Sequence, residues 1–458
     1  MVQTDNTVAQ ILADWTNQFS YSDISDDVRD EANRCIVDTV GVSVGGLDQT
    51  TAHLSRALAY KNYAAGPCHV LGSTKMLSTP GAAFCNGVAA HVLDFDDVSY
   101  EGMVHASAVV WPAIFAAGEQ VNASGCEVVT AFVAAVEAEY ALGRAMTHDL
   151  FWRGWWTTGL LGSIGAAIGV AKVMALDCQT TSQAINIAAS QATGPYALVG
   201  SPVKPYACGR AAEAGVLAAQ AASRGLEGPR ESFEHSNGFI AMYGNHQFVP
   251  EELNHLGIRF VLNTSRVAFK RYPVCSAGQA AIEALELIVS KNNIKNSEIV
   301  EVHCNVTSDI AHYMQVDDPM TVTEAQFCLA FCLACILRFG ELTPQQLSID
   351  VINDPDIKTE MKKVRLVYSK KLDELCKQRD DYQQSAEVTI KTSTLNSITE
   401  LVAAPSGTSA SPMSNEQIEN KFINCVRQCY PEPQVLKLLN RVKSISELSS
   451  IRSLFYNL

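Results

Sequence analysis

From the N-terminus to about residue 266, apolar positions fall on nearly every face of the helical repeat instead of along one stripe. Stretches such as AFVAAVEAEYALGRAM, GSIGAAIGVAKVMAL and RAAEAGVLAAQAASRGL are rich in Ala and Gly. Helices of this kind approach one another closely, and burial on all sides predicts the interior of a large bundle. The pattern breaks at VAFKRYP (267–273). Beyond it, IVEVHCNVT (299–307) alternates Val300, Val302, Cys304 and Val306 with Glu301, His303 and Asn305, the period of a half-buried strand. A second strand is expected at AEVTIKT (386–392), after the charged helix KKLDELCKQRDD. AAPSGTSASPM (403–413) reads as a linker, and Ser414 and Gln417 have capping-box spacing before IENKFINCVRQCY. The expected fold is therefore mainly α. Residues 1–266 and 403–458 form a large helical domain built from both chain ends, and 267–402 form a smaller α+β domain.

Composition narrows the functional classes. At 458 residues, two domains are the starting expectation. Hydrophobic residues make up 47% and charged residues 18%, so the chain folds. A net charge of −14 without a basic run argues against nucleic acid as a partner. Local cations such as Lys270-Arg271 still allow an anionic small molecule. The N-terminal MVQTDNTVAQILADW lacks the features of a secretory signal, and no apolar run is long enough to span a bilayer. Fourteen cysteines without a compact framework fit a reducing cytosol, so a cytoplasmic location is expected. Cys332 and Cys335 form a CxxC with Cys328 one turn earlier. That spacing suits a redox or iron–sulfur role, or simply small buried residues on a helix.

The segment AAFCNGVAAHVLDFDDVSYEGMVHASAVV (82–110) carries the densest chemistry. An apolar helix runs into Asp94, Asp96 and Asp97, with His105 shortly after. Carboxylates and an imidazole of different intrinsic pKa are what a general acid and base require, although Asp-rich turns also serve as caps. Asp94, Asp96, Asp97 and Glu101 could supply oxygens to Mg or Ca, but without the graded spacing and central Gly of an EF-hand loop. GVSVGG and GSIGAAIG do not follow a strand as a dinucleotide fingerprint requires. Neither a metal nor a nicotinamide cofactor is expected.

Six stretches in register, CIVDTVGVSVGG (35–46), AAFCNGVAAHVLDFDD (82–97), GLLGSIGAAIGVAKVMALD (159–177), KPYACGRAAEAG (204–215), FKRYP (269–273) and TEAQFCLAFCLA (323–334), together resemble the MmgE/PrpD family. That family includes 2-methylcitrate dehydratase, cis-aconitate decarboxylase and iminodisuccinate epimerase. The resemblance implies a homodimer, a helical domain with an α+β lid, an active site between domain and lid, and catalysis without metal or organic cofactor. It places the family's acidic residue on Asp94, its histidine on His105 and its lysine on Lys204. Lys270 and Arg271 fall on the K-R-[FY]-P element associated with substrate carboxylates, and Tyr313 on a lid tyrosine that reaches the site.

Three imidazoles of the family pattern are missing here. GWWTT places Trp156, followed by Thr157, where a histidine is usual; Ala207 and Gln279 replace two others. An indole cannot exchange protons near neutral pH. Trp155 and Trp156 would instead give a pocket a flat apolar wall favouring a larger or less charged substrate, and Trp156 and Thr157 are expected to contact it. With an unperturbed pKa of about 6.5, His105 is the natural proton shuttle. Asp94 is expected to orient its ring or act as base, and Lys204 to donate a proton or hold a carboxylate or enolate oxygen. The expectation is a cofactor-independent lyase or isomerase of specialised metabolism acting beside a carboxylate or carbonyl by dehydration, decarboxylation, isomerisation or cyclisation. The competing expectation is a non-catalytic binding or scaffolding member of the family.

Overall fold

The computed structural model describes residues 6–456 apart from 147–148, 245–246, 265–266, 293, 380 and 395. The chain divides into two compact units. The first takes the chain up to Val92, Asp96–Val267 and the part from Asn415 onward; the second takes Leu93–Phe95 and Ala268–Ser414. The boundary expected at 266 lies outside the described residues, and the division itself falls after Val267.

The first unit is helical. Its main helices are α1 (Asp26–Gly45), α2 (Thr79–His91), α3 (Ala106–Val121), α4 (Gly125–Ala145), α5 (Thr157–Val173) and α6 (Val203–Ala222). Ser25 caps α1 by accepting from the Val28 N–H, and Ser124 and Glu127 form a capping box on α4. Every residue of α5 except Lys172 is buried, as the all-round apolar pattern requires. α2 and α6 cross where two glycines meet. A Cβ on Gly87 would lie 2.9 Å from the Gly209 Cα, and one on Gly209 would lie 2.4 Å from the Phe84 carbonyl oxygen. This crossing brings the end of α2 alongside the start of α6. The Asn415–Val426 helix packs on α1, where Gly41 admits Phe422 and Lys421 Nζ meets Asp38 Oδ1 at 2.6 Å.

The second unit is α+β. Its principal elements are α7 (Gln279–Asn292), β1 (Ile299–Val306), α8 (Leu329–Phe339), β2 (Val364–Tyr368), β3 (Ala386–Thr392) and β4 (Ser397–Val402). The sheet order is β2-β1-β3-β4, with β1 and β2 parallel and the other pairs antiparallel. Val302, Cys304, Val306, Val388 and Ile390 form one buried face in a core shared with Ile282, Leu285, Phe331 and Leu333. Val300 departs from the expected alternation: a register shift between Ile299 and Glu301 puts Ile299 inside and leaves Val300 57% exposed.

Two further expectations change. Residues 403–413 are not a linker of the helical domain, because they lie in the second unit. The Ser406 N–H and hydroxyl both donate to the Glu283 carboxylate, and the Phe269 N–H donates to the Gly407 carbonyl. Gly407 sits at φ +99°, where a Cβ would strike the Phe269 carbonyl oxygen. Cys328, Cys332 and Cys335 are buried in the core, and burial pushes all three thiols up, Cys328 to about 11. Such thiols are inert packing groups. Among the described residues no helix is long and apolar enough to cross a membrane.

Candidate functional site

Four chain segments of the first unit meet at one place. α2 ends on His91, and His105 occupies the N-cap of α3. Trp156 occupies the N-cap of α5, and Lys204 lies in the first turn of α6. Helix N-termini carry partial positive charge, so three of these four segments favour an anion.

The three aspartates have separate tasks. Asp96 is fully buried, and its Oδ2 lies 2.8 Å from His91 Nδ1 and 3.1 Å from His105 Nδ1. Burial opposes its charge, but the two imidazoles outweigh that and hold the carboxyl well below the ordinary carboxylate range. Asp97 supplies its backbone carbonyl to His105 Nδ1 at 2.8 Å. A carbonyl only accepts, so Nδ1 carries the proton and Nε2 is the basic nitrogen. The Asp97 carboxyl itself is buried; burial and then Asp38 push it well above the usual range. Asp94 belongs to the second unit, where the Lys270 ammonium donates to both its carboxylate, at 2.5 Å, and its carbonyl, at 2.8 Å. It adopts φ +47°, a strained conformation for an aspartate.

The expected pairing of Asp94 with His105 is therefore corrected. Asp96 orients the ring, because the tight turn at Asp94 places Asp96 beside the two imidazoles, while the Asp94 carboxylate is engaged by an ammonium. Sequence reasoning missed His91. Its signal in the chain is a histidine closing the apolar helix five residues before Asp96. Burial, followed by Lys204 among the opposing charges, drives the His91 ring down to about 4, so it is neutral at pH 7. Its Nε2 has no hydrogen-bond partner among the described residues.

Trp156 forms an apolar wall beside this pair, its ring 5.6 Å from that of His91, and its backbone N–H donates to the Gly194 carbonyl at 2.6 Å. Thr157 is buried, and its hydroxyl donates to the Met103 carbonyl. With Thr158, whose Oγ1 accepts the His105 N–H at 3.0 Å, it pins the loop that carries His105. Lys204 is 6% exposed.

In the second unit, Lys270 holds Asp94, and Arg271 is paired with Glu286 at 2.6 Å and Glu283 at 3.7 Å. Both cations expected to take substrate carboxylates thus already face protein carboxylates. Gln279 locks the KRYP turn by accepting the N–H groups of Arg271 and Tyr272 and donating to the Tyr272 and Val274 carbonyls. Tyr313 ends the short Ser308–Tyr313 helix and packs against the core of this unit.

The oxygen cluster considered for Mg or Ca does not form: Asp94 holds Lys270, and Glu101 lies near Arg144 and Arg259. Among the described residues, His91, Asp96 and His105 place three donor atoms within 4.8 Å of one another. A metal held there through His105 Nδ1 would have to displace the proton that the Asp97 carbonyl binds, so the donor set suits proton transfer better.

Behind Asp97, Glu139 is fully buried with neither carboxylate oxygen bonded among the described residues, and burial, then the charge of Asp97, pushes it up to about 8. Its pKa is higher folded than unfolded. Its stabilising contribution is therefore complete below pH 4.5 and is lost as pH rises through 8. Glu139→Gln is expected to flatten the pH dependence and to exceed wild type by about 1–3 kcal/mol at pH 9. Thermal unfolding from pH 5 to 9 checks this, and parallel curves for the two proteins would refute it.

Comparison with known proteins gives a consistent answer. Residues 10–251 match the MmgE/PrpD N-terminal domain and residues 272–445 the MmgE/PrpD C-terminal domain. A cis-aconitate decarboxylase of Aspergillus terreus (strain NIH 2624 / FGSC A1156) is 26% identical across 97% of this chain and 94% of its own. The Homo sapiens cis-aconitate decarboxylase is 26% identical across 93% and 89%, and that of Mus musculus 25% across 96% and 91%. Likeness over nearly whole chains supports a lyase-type catalytic role. With both domain models matched along most of its length and a mainly helical, two-unit fold, the chain belongs to the MmgE/PrpD family.

Proposed function

We propose that the protein is a lyase that needs no cofactor and transfers a proton at a carbon next to a carboxylate, on a substrate less polar than a tricarboxylate. The observation that carries this reading is the locked tautomer of His105: the Asp97 carbonyl and the Asp96 carboxylate share its Nδ1 proton, which makes Nε2 the proton carrier. In a decarboxylation, the bond to the departing CO2 breaks, its electron pair passes to the adjacent carbon, and protonated Nε2 delivers a proton there. In a dehydration, Nε2 removes the proton alpha to the carboxylate, the electron pair of that C–H bond forms the double bond, and the neighbouring hydroxyl leaves as water with a proton that Lys204 supplies. Lys204 and the three helix N-termini stabilise the negative charge that develops on oxygen. Trp156, in place of a second imidazole, supports the less polar substrate.

The test is hydrogen exchange from deuterated water into cis-aconitate, other di- and tricarboxylates, and monocarboxylates bearing an apolar substituent. Exchange or CO2 release is expected to be fastest on the apolar monocarboxylates. Lys204→Ala is expected to raise KM about 10- to 100-fold, the loss of a charge-assisted bond. Binding without exchange throughout the panel would replace this reading with a scaffolding role.

A further inference from the structure

The buried pair beside His105 is more elaborate than a proton carrier needs. One oxygen of Asp96 receives two imidazoles, while its Oδ1 has no partner among the described residues. The two rings stand edge to face with centroids 4.7 Å apart. Two imidazolium rings that close would repel strongly in a buried setting, so one carboxylate can support one positive ring at a time.

The surroundings decide which ring that is. His91 is sealed, with Trp156 over one side and the Lys204 charge opposing a second cation. His105 is the less buried of the two, at 12% side-chain exposure. The other titratable groups near Asp96 do not compete: burial pushes both the Cys208 thiol and the Asp97 carboxyl well above their usual ranges.

We infer that His91, Asp96 and His105 form a one-proton device. Asp96 is a positioning residue that fixes His105 with Nε2 free and balances the charge formed there, and His91 is a neutral strut that holds Asp96. The balance is simple. Nε2 gains a proton from the substrate carbon or gives one to it, Nδ1–H stays on His105, and Asp96 remains ionised throughout. No proton leaves His91. The inference rests on the proposed role of His105 and assigns to its neighbours what that role leaves unexplained.

Asp96→Asn keeps the size of the side chain and removes its charge. It is expected to lower the kcat for exchange about 10²- to 10⁴-fold with KM within threefold, the scale seen when a carboxylate orienting a catalytic imidazole is neutralised. It should also move the lower limb of the kcat–pH profile to lower pH, because the His105 cation loses its counter-charge. His91→Gln retains a donor toward Asp96 and is expected to lose less than tenfold with that limb unmoved. Nitrogen-15 NMR of the histidine rings supplies a readout independent of activity, and both His91 and His105 should show Nδ1–H tautomers in the wild type.

An unmoved pH limb in folded Asp96→Asn would overturn the positioning role. A loss of 10²-fold or more in folded His91→Gln would make His91 a proton carrier and overturn the strut. Failure of the underlying reading looks different: His105→Ala would then retain turnover whatever the Asp96 and His91 variants do.

Discussion

His105→Ala should lower turnover about 10²- to 10⁴-fold, the range that positioned acid–base catalysis contributes. The side chain sits at a helix N-cap, where alanine leaves the backbone N–H bond to Thr158 in place, so the fold should survive. Binding of a carboxylate should also survive, because Lys204 and the helix N-termini supply that attraction independently. The expected signature is therefore a collapse in kcat with KM changed only a few-fold. Added imidazole should restore part of the exchange if the cavity left by the ring admits it. Turnover within threefold of wild type, in protein with unchanged thermal unfolding, would remove His105 from the chemistry.

Lys421→Ala should cost about 3–5 kcal/mol of stability, the scale of breaking one partner out of a buried ion pair. Its ammonium lies 2.6 Å from Asp38, and both side chains are almost wholly inaccessible, at 5% and 0%. Losing the lysine leaves a carboxylate that water cannot reach, with the Asp97 carboxyl close enough to feel its charge. The double variant Asp38→Asn with Lys421→Met should recover most of the loss, since neither replacement leaves a buried charge. Chemical denaturation of the single and double variants measures this directly. A Lys421→Ala protein within 0.5 kcal/mol of wild type would show that the pair is not what fastens the Asn415–Val426 helix to α1.

Much of the fold is legible in the chain because burial leaves a periodic trace. The Ala- and Gly-rich segments around α4, α5 and α6 read as interior helices, and AEVTIKT reads as the strand that forms. What periodicity cannot reveal is a local break in register, and so Val300 turns outward at a bulge. Nor does it show that Gly407 and Ser406 anchor a Pro- and Ser-rich stretch that reads as a linker. In the site, residue types and motif position make His105 and Lys204 candidates, but do not show the division of labour among Asp94, Asp96 and Asp97. That division depends on a positive φ at Asp94 and on Lys270, which lies far along the chain. The pairing of Asp38 with Lys421 is hidden for the same reason: its partners come from opposite ends of the sequence.

The contact between Gly87 and Gly209 bears on how such a protein can change its substrate. The offset of the His91 helix from the Lys204 helix is set where backbone lies against backbone at Gly87 and Gly209, with Phe84, Val88 and Ala212 packed around the contact. The spacing of the Lys204 charge from the His91 strut is therefore a fixed frame, while the wall at Trp156 is a replaceable panel mounted on another helix. Selection for a new substrate can act on the panel without retuning the frame. Directed libraries should accordingly diversify position 156 and its neighbours, and leave the crossing of α2 and α6 untouched.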